Sequence, residues 1–163
     1  MRYKYLIGLA SILASSLSYA TLGESPDSIN KDIQVLNTTS SGSQNLSSAK
    51  NITATSKAQL KQQANYDQYS FITDDGITVI QYVANGNVFA IKWSGSHIPN
   101  LRQLYGAYFP AYQTSKSAYM GTSQHKVTTT IFDAGVTGIA GAFSGYALLK
   151  AELPANLTLA DLK

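Results

Sequence analysis

Residues 77–93 read Ile-Thr-Val-Ile-Gln-Tyr-Val-Ala-Asn-Gly-Asn-Val-Phe-Ala-Ile-Lys-Trp. Two β-branched and aromatic runs flank Asn85-Gly86, the dipeptide that best tolerates the paired positive φ angles of a two-residue hairpin turn. With those two residues as the loop, Val83 faces Val88, Tyr82 faces Phe89, Ile80 faces Ile91 and Thr78 faces Trp93. Cross-strand pairs share a face of the sheet. This register therefore puts Tyr82, Phe89, Ile80, Ile91 and Trp93 on one side, and Gln81, Ala90, Val79 and Lys92 on the other. Upstream, Asp74-Asp75-Gly76 marks another turn. A two-residue loop at either Asp74-Asp75 or Asp75-Gly76 adds Tyr69 and Phe71 to the aromatic side. Three strands then agree on one buried face, as an antiparallel meander requires.

Downstream, Leu101, Leu104, Tyr105, Tyr108 and Tyr112 recur at helical spacing after Pro99, which suits a first helical turn. The spacing predicts a helix over 99–112, ended or kinked at Pro110, as the cover for the aromatic face. Residues 114–126 are polar and read as a loop. Residues 127–132 are β-branched, Asp133-Ala134-Gly135 reads as a turn, and the Gly-rich stretch 136–149 reads as a further strand. The expected fold is α+β: an antiparallel sheet of about five strands with one main helix on its aromatic face. A short N-terminal helix is added by Pro26, Asp27, Ile29, Ile33 and Leu36 within 21–37. Residues 38–58 hold six Ser and four Thr, too few apolar groups to offset the entropy of ordering, and read as a flexible linker. One domain is expected over 59–155, opening on a helical turn at 59–64, with a C-terminal tail over 156–163.

The first twenty residues read as an address. Arg2 and Lys4 precede an uncharged apolar stretch over 6–17, and Ser18-Tyr19-Ala20 places small residues at the −3 and −1 positions of a cleavage site. That is the three-part layout of a secretory signal peptide, shorter than a membrane span. Cleavage after Ala20 and a periplasmic or secreted location are the expectation, with no stable membrane anchor afterwards. The 163-residue chain has 12 basic and 9 acidic residues and no cysteine. Losing Arg2 and Lys4 leaves 10 basic residues, so a nucleic-acid partner loses its electrostatic support. Disulfides, thiolate metal sites and cysteine catalysis are excluded.

The segments Gly76-Ile-Thr-Val-Ile-Gln-Tyr-Val, Asn85-Gly-Asn-Val-Phe-Ala-Ile-Lys-Trp and Pro99-Asn-Leu-Arg-Gln-Leu-Tyr-Gly-Ala-Tyr-Phe, with Ala20-Thr21-Leu22-Gly23 and Ala142-Phe-Ser-Gly-Tyr-Ala147, resemble a secreted bacterial family known as domain of unknown function 2844. The resemblance implies a secreted, periplasmic bacterial protein and carries over no catalytic residue.

The chemical inventory is thin. His97 and His125 would need Asp74, Asp75 or Asp133 beside them to hold a metal, and their spacing gives no support. Asp74 and Asp75 sit where a turn favours Asp. Ser94-Gly95-Ser96-His97 lacks the Gly-x-Ser-x-Gly elbow, since Trp93 stands at the first Gly position. The aromatic residues Tyr82, Trp93 and Tyr105, with Arg102 on the helix, are the candidate ligand-binding residues. The expectation is a secreted envelope protein acting as a non-enzymatic binding or interaction module, its partner an envelope protein or small ligand, with no cofactor or metal. The alternative is a small extracytoplasmic hydrolase using Ser96, His97 or Asp74.

Overall fold

A computed structural model describes residues 21–40, 59–62, 65–114 and 124–162. In chain order the elements are α1 (Ser28–Ser40), β1 (Gln59–Gln62), β2 (Asp67–Ile72), β3 (Thr78–Ala84), β4 (Asn87–Gly95), α2 (Leu101–Tyr105), a 3-10 turn (Gly106–Tyr108), α3 (Phe109–Thr114), β5 (Gln124–Thr128), β6 (Phe132–Ile139) and β7 (Ala142–Leu149). The described strands form one antiparallel sheet in the order β1-β2-β3-β4-β7-β6-β5. Two meanders thus meet along β4 and β7. The α+β class and the antiparallel sheet are as expected; the strand count is seven rather than about five.

Three differences account for the count. Residues 59–62 pair with β2 as a strand instead of forming a helical turn. The expected loop over 114–126 gives its last residues to β5, while 115–123 lie outside the described residues. Asp133-Ala134-Gly135 lies inside β6, and the turn falls at Ala140-Gly141, where Gly141 has φ +85°. The helix over 99–112 also differs. Asn100 caps α2, its side chain accepting from Gln103 N, but the break falls at Gly106 (φ +48°). Pro110 sits in the first turn of α3, where its missing N–H costs nothing. α1 runs three residues into the expected linker; the rest of that linker, 41–58, lies outside the described residues, as does the expected leader over 1–20.

The β3–β4 register is corrected by one residue. Asn85 (φ 53°) and Gly86 (φ 81°) form the turn, and Val83 faces Val88 as expected. Beyond that pair the register shifts at a bulge that inserts Phe89, so Tyr82 faces Ala90 and Val79 faces Trp93. One inserted residue flips every later side chain to the opposite face. The upstream turn does the same: Thr73 N donates to Ile77 O at 2.9 Å, closing a three-residue loop, and Phe71 faces Val79. The aromatic side is therefore split between two faces.

The first face carries Phe71, Val79, Ile91, Trp93, Phe132, Ala134 and Val136, buried under Ile29, Ile33 and Leu36 of α1 and Leu104 and Tyr105 of α2. The second carries Tyr82, Phe89, Ala90 and Leu148, covered by Leu153, Leu159 and Leu162. Leu162 is 1% exposed. The stretch expected as a C-terminal tail packs on this face as part of a second, smaller cover.

Candidate functional site

The C-terminal segment covers only part of the second face. Beyond it, two cross-strand rows lie open. The outer row is Thr78–Ser94–Ser144–Thr137–Gln124, each facing its neighbour across β3, β4, β7, β6 and β5. The inner row is Ile80–Lys92–Tyr146–Gly135–Lys126 on the same strands. Side chains two residues apart on a strand share a face, so both rows point the same way. At the usual strand spacing, the rows span about 19 Å. They line a concavity of about 500 Å³ with no carboxylate among its lining residues.

One glycine shapes this surface. A Cβ on Gly135 would lie 2.6 Å from the Tyr146 ring, so that ring leans over the bare backbone of β6. Lys92 and Lys126 flank the ring at about 14 Å from each other, three strand spacings. Burial holds the Lys92 amine below the usual lysine range, and its Nζ donates to the Leu162 carbonyl. Burial, and then the Asp133 carboxylate, push the Tyr146 phenol up.

Of the sequence-predicted binding residues, Trp93 and Tyr105 meet each other. Trp93 Nε1 donates to Tyr105 Oη at 3.5 Å, and Tyr105 donates to the Tyr146 carbonyl at 3.2 Å. Both are buried in the first face. Tyr82 is buried on the second, its phenol pushed up to about 12 by burial and by Tyr66. Arg102 is exposed, its guanidinium 5.1 Å from the centroid of the Phe109 ring. The four do not line a common cleft. The open rows were missed because their parity depends on the bulge and on β7 pairing with β4. One signal was readable: Ser144-Gly145-Tyr146 alternates outward and inward.

A second cluster is buried. Asp32 is fully buried in α1. Its Oδ2 accepts from the Thr21 hydroxyl and from Gln81 Nε2 (2.7 Å), and its Oδ1 accepts from Gln103 Nε2 (2.6 Å). Burial raises this carboxyl to about 7 against the pull of the two amides. Gln81 Oε1 is buried without a hydrogen-bond partner. The sequence reading passed over Asp32; the available signal was its spacing, which puts it on the buried Ile29, Ile33, Leu36 stripe.

A third cluster is exposed. His97 Nε2 donates to Asp75 Oδ2 at 2.6 Å, and its Nδ1 lies 3.0 Å from Ser96 Oγ. Thr73 Oγ1 donates to the other Asp75 oxygen. Asp75, rather than Asp74, joins the histidine; the Asp74 N–H donates to Asn37 Oδ1. His125 lies edge-on to Tyr112, ring centroids 4.6 Å apart, away from His97. Among the described residues no three His, Asp or Glu side chains gather as a metal site, and no helix is long and apolar enough to cross a membrane.

Neither the curated proteins nor the solved structures contain a match to this chain. The profile of a family described as protein of unknown function (DUF2844) matches residues 18–162. That match spans the N-terminal helix, both meanders and the segment that covers Tyr82, and the chain belongs to the DUF2844 family.

Proposed function

We propose that this chain is an extracytoplasmic protein that acts as a non-enzymatic binding module. It takes an extended, acidic, hydroxyl-bearing ligand of the acidic-glycan class across the open rows of its sheet. The observation that carries this reading is the arrangement of Lys92, Tyr146 and Lys126 beside the ladder Thr78, Ser94, Ser144, Thr137 and Gln124. The ladder offers donors and acceptors at every strand. The Tyr146 ring offers an apolar platform for a sugar ring. The two ammonium groups fix the sign of the ligand. Export by the leader over 1–20, removed after Ala20, supports an envelope or extracellular setting.

Binding of oligogalacturonate, with neutral maltoheptaose as the control, tests this reading by calorimetry on residues 21–163. The acidic oligomer is expected to bind and the neutral one not, with Lys92→Ala/Lys126→Ala losing the difference. Equal binding of both, or unchanged binding by the double variant, would contradict it.

A second reading, a small extracytoplasmic hydrolase, draws support from the Ser96–His97–Asp75 chain. It ranks second because Ser96 and His97 are sequence neighbours, both exposed, and a carboxylate-braced histidine at a turn end also closes the turn. The Asp75 clamp holds the β2–β3 loop against the end of β4.

A further inference from the structure

The Asp32 cluster holds a contradiction that the chain can resolve. A buried carboxylate is costly unless paired. The cations of the two helices concerned stay outside: Lys31 and Arg102 are exposed, and neither salt bridge of the described residues includes Asp32. Beside it, Gln81 Oε1 accepts from nothing, on the very amide whose Nε2 donates to Asp32. The site lacks a donor, and a cationic one would satisfy both groups.

The missing group lies close by in the covalent structure. Thr21 is fully buried, and its hydroxyl donates to Asp32. In a threonine the α-nitrogen sits about 3–4 Å from Oγ1, according to the χ1 rotamer. The residues after it are stitched into the core: Leu22 N donates to Leu104 O (3.3 Å), Gly23 N to Val88 O (2.8 Å), and Val88 N to Glu24 O (2.9 Å). Thr21 is therefore held in place by its own downstream neighbours.

We propose that Asp32 and Gln81 form the receptor for the α-ammonium of Thr21, the new amino terminus left when the leader is removed after Ala20. The inference rests on the leader reading given above. Cleavage turns a peptide nitrogen with one proton into an ammonium with three. That group supplies the counter-charge for Asp32 and the donor for Gln81 Oε1, so processing completes the core that joins α1, β3 and α2. Protonation of Asp32 is the competing way to supply the donor.

The test uses the chain from Thr21 to the C terminus, released with a free α-amine from a cleavable fusion, and the same chain acetylated at Thr21. The free amine is expected to titrate about one pH unit above the ordinary α-amino range, a tenfold preference for the charged form. Acetylation is expected to lower the urea midpoint at neutral pH. Asp32→Asn should return the amine to its ordinary range; the wild-type pair decides the matter if that variant does not fold. An ordinary amine pKa with equal midpoints for the free and acetylated chains would overturn the proposal in favour of a protonated Asp32. The mass of the protein recovered from its own host separates the two layers. A start elsewhere than Thr21 overturns the leader reading and this one together. A start at Thr21 with an ordinary amine overturns this one alone.

Discussion

The indole of Trp93 lies directly on Gly145, its cross-strand partner: a Cβ on that glycine would stand 2.4 Å from the ring. The contact fixes how closely β4 and β7 pack at the junction of the two meanders. Gly135 and Tyr146 repeat it on the opposite face. Gly145→Ala must push the indole off its seat, an overpacking that costs about 1–3 kcal/mol. Urea unfolding followed by Trp93 fluorescence should show a lower midpoint and an altered native emission spectrum. An unchanged midpoint would mean that the β4–β7 junction yields freely.

Asp32 sets a pH dependence with a definite sign. With the Thr21 nitrogen blocked, its folded pKa is raised from 3.8 to about 7. A raised carboxyl contributes stability that is full below the unfolded pKa and is lost as pH rises through the folded one. Stability of the acetylated chain should therefore fall between pH 4 and pH 7, by about 4 kcal/mol at most. The free-amine chain should lose less across that window, and Asp32→Asn should flatten the slope. Chemical unfolding at several pH values reads all three.

Binding across the open rows should depend on salt and on alkali. Two lysines facing an acidic ligand act through partly exposed charges, which ionic strength screens. Affinity for oligogalacturonate should fall as salt rises, and the dependence should weaken in Lys126→Ala. Burial holds the Lys92 ammonium below the ordinary lysine range, so affinity should decline at a lower pH than that of a fully exposed lysine near about 10.4. Calorimetry at graded salt and pH checks both.

The Asp75–His97 pair should behave as a clamp on a turn. Both side chains are partly exposed, with His97 at 48%, so His97→Ala should cost under about 1 kcal/mol. Hydrolysis of p-nitrophenyl acetate should be no faster with the wild type than with Ser96→Ala. A rate that disappears with Ser96→Ala would favour the hydrolase reading.

The legible parts of the fold were those written in local signals. Asn85-Gly86 gave its turn, Ile29, Ile33 and Leu36 gave the N-terminal helix, and the β-branched runs gave most strands. Parity was not legible. A bulge at Phe89 and a three-residue loop after Thr73 each shift the register by one, and nothing in residue type marks an inserted residue whose side chain is as apolar as its neighbours. That is why Tyr82 separated from Trp93 and Tyr105, and why the open rows went unread: a row spans five strands, and its members are joined only by long-range pairing. The C-terminal cover was hidden for a similar reason, since Leu159 and Leu162 find partners about 70 residues away.

A nitrogen-15 NMR titration of residues 21–163 with oligogalacturonate at low salt tests binding across the open rows most directly. Perturbed amides are expected to cluster on Ser94, Lys126, Gly135, Thr137, Ser144 and Tyr146, with the helix face unmoved. Perturbations confined to the helix face or to the Asp75–His97 turn, or none at concentrations that saturate calorimetric binding, would contradict it.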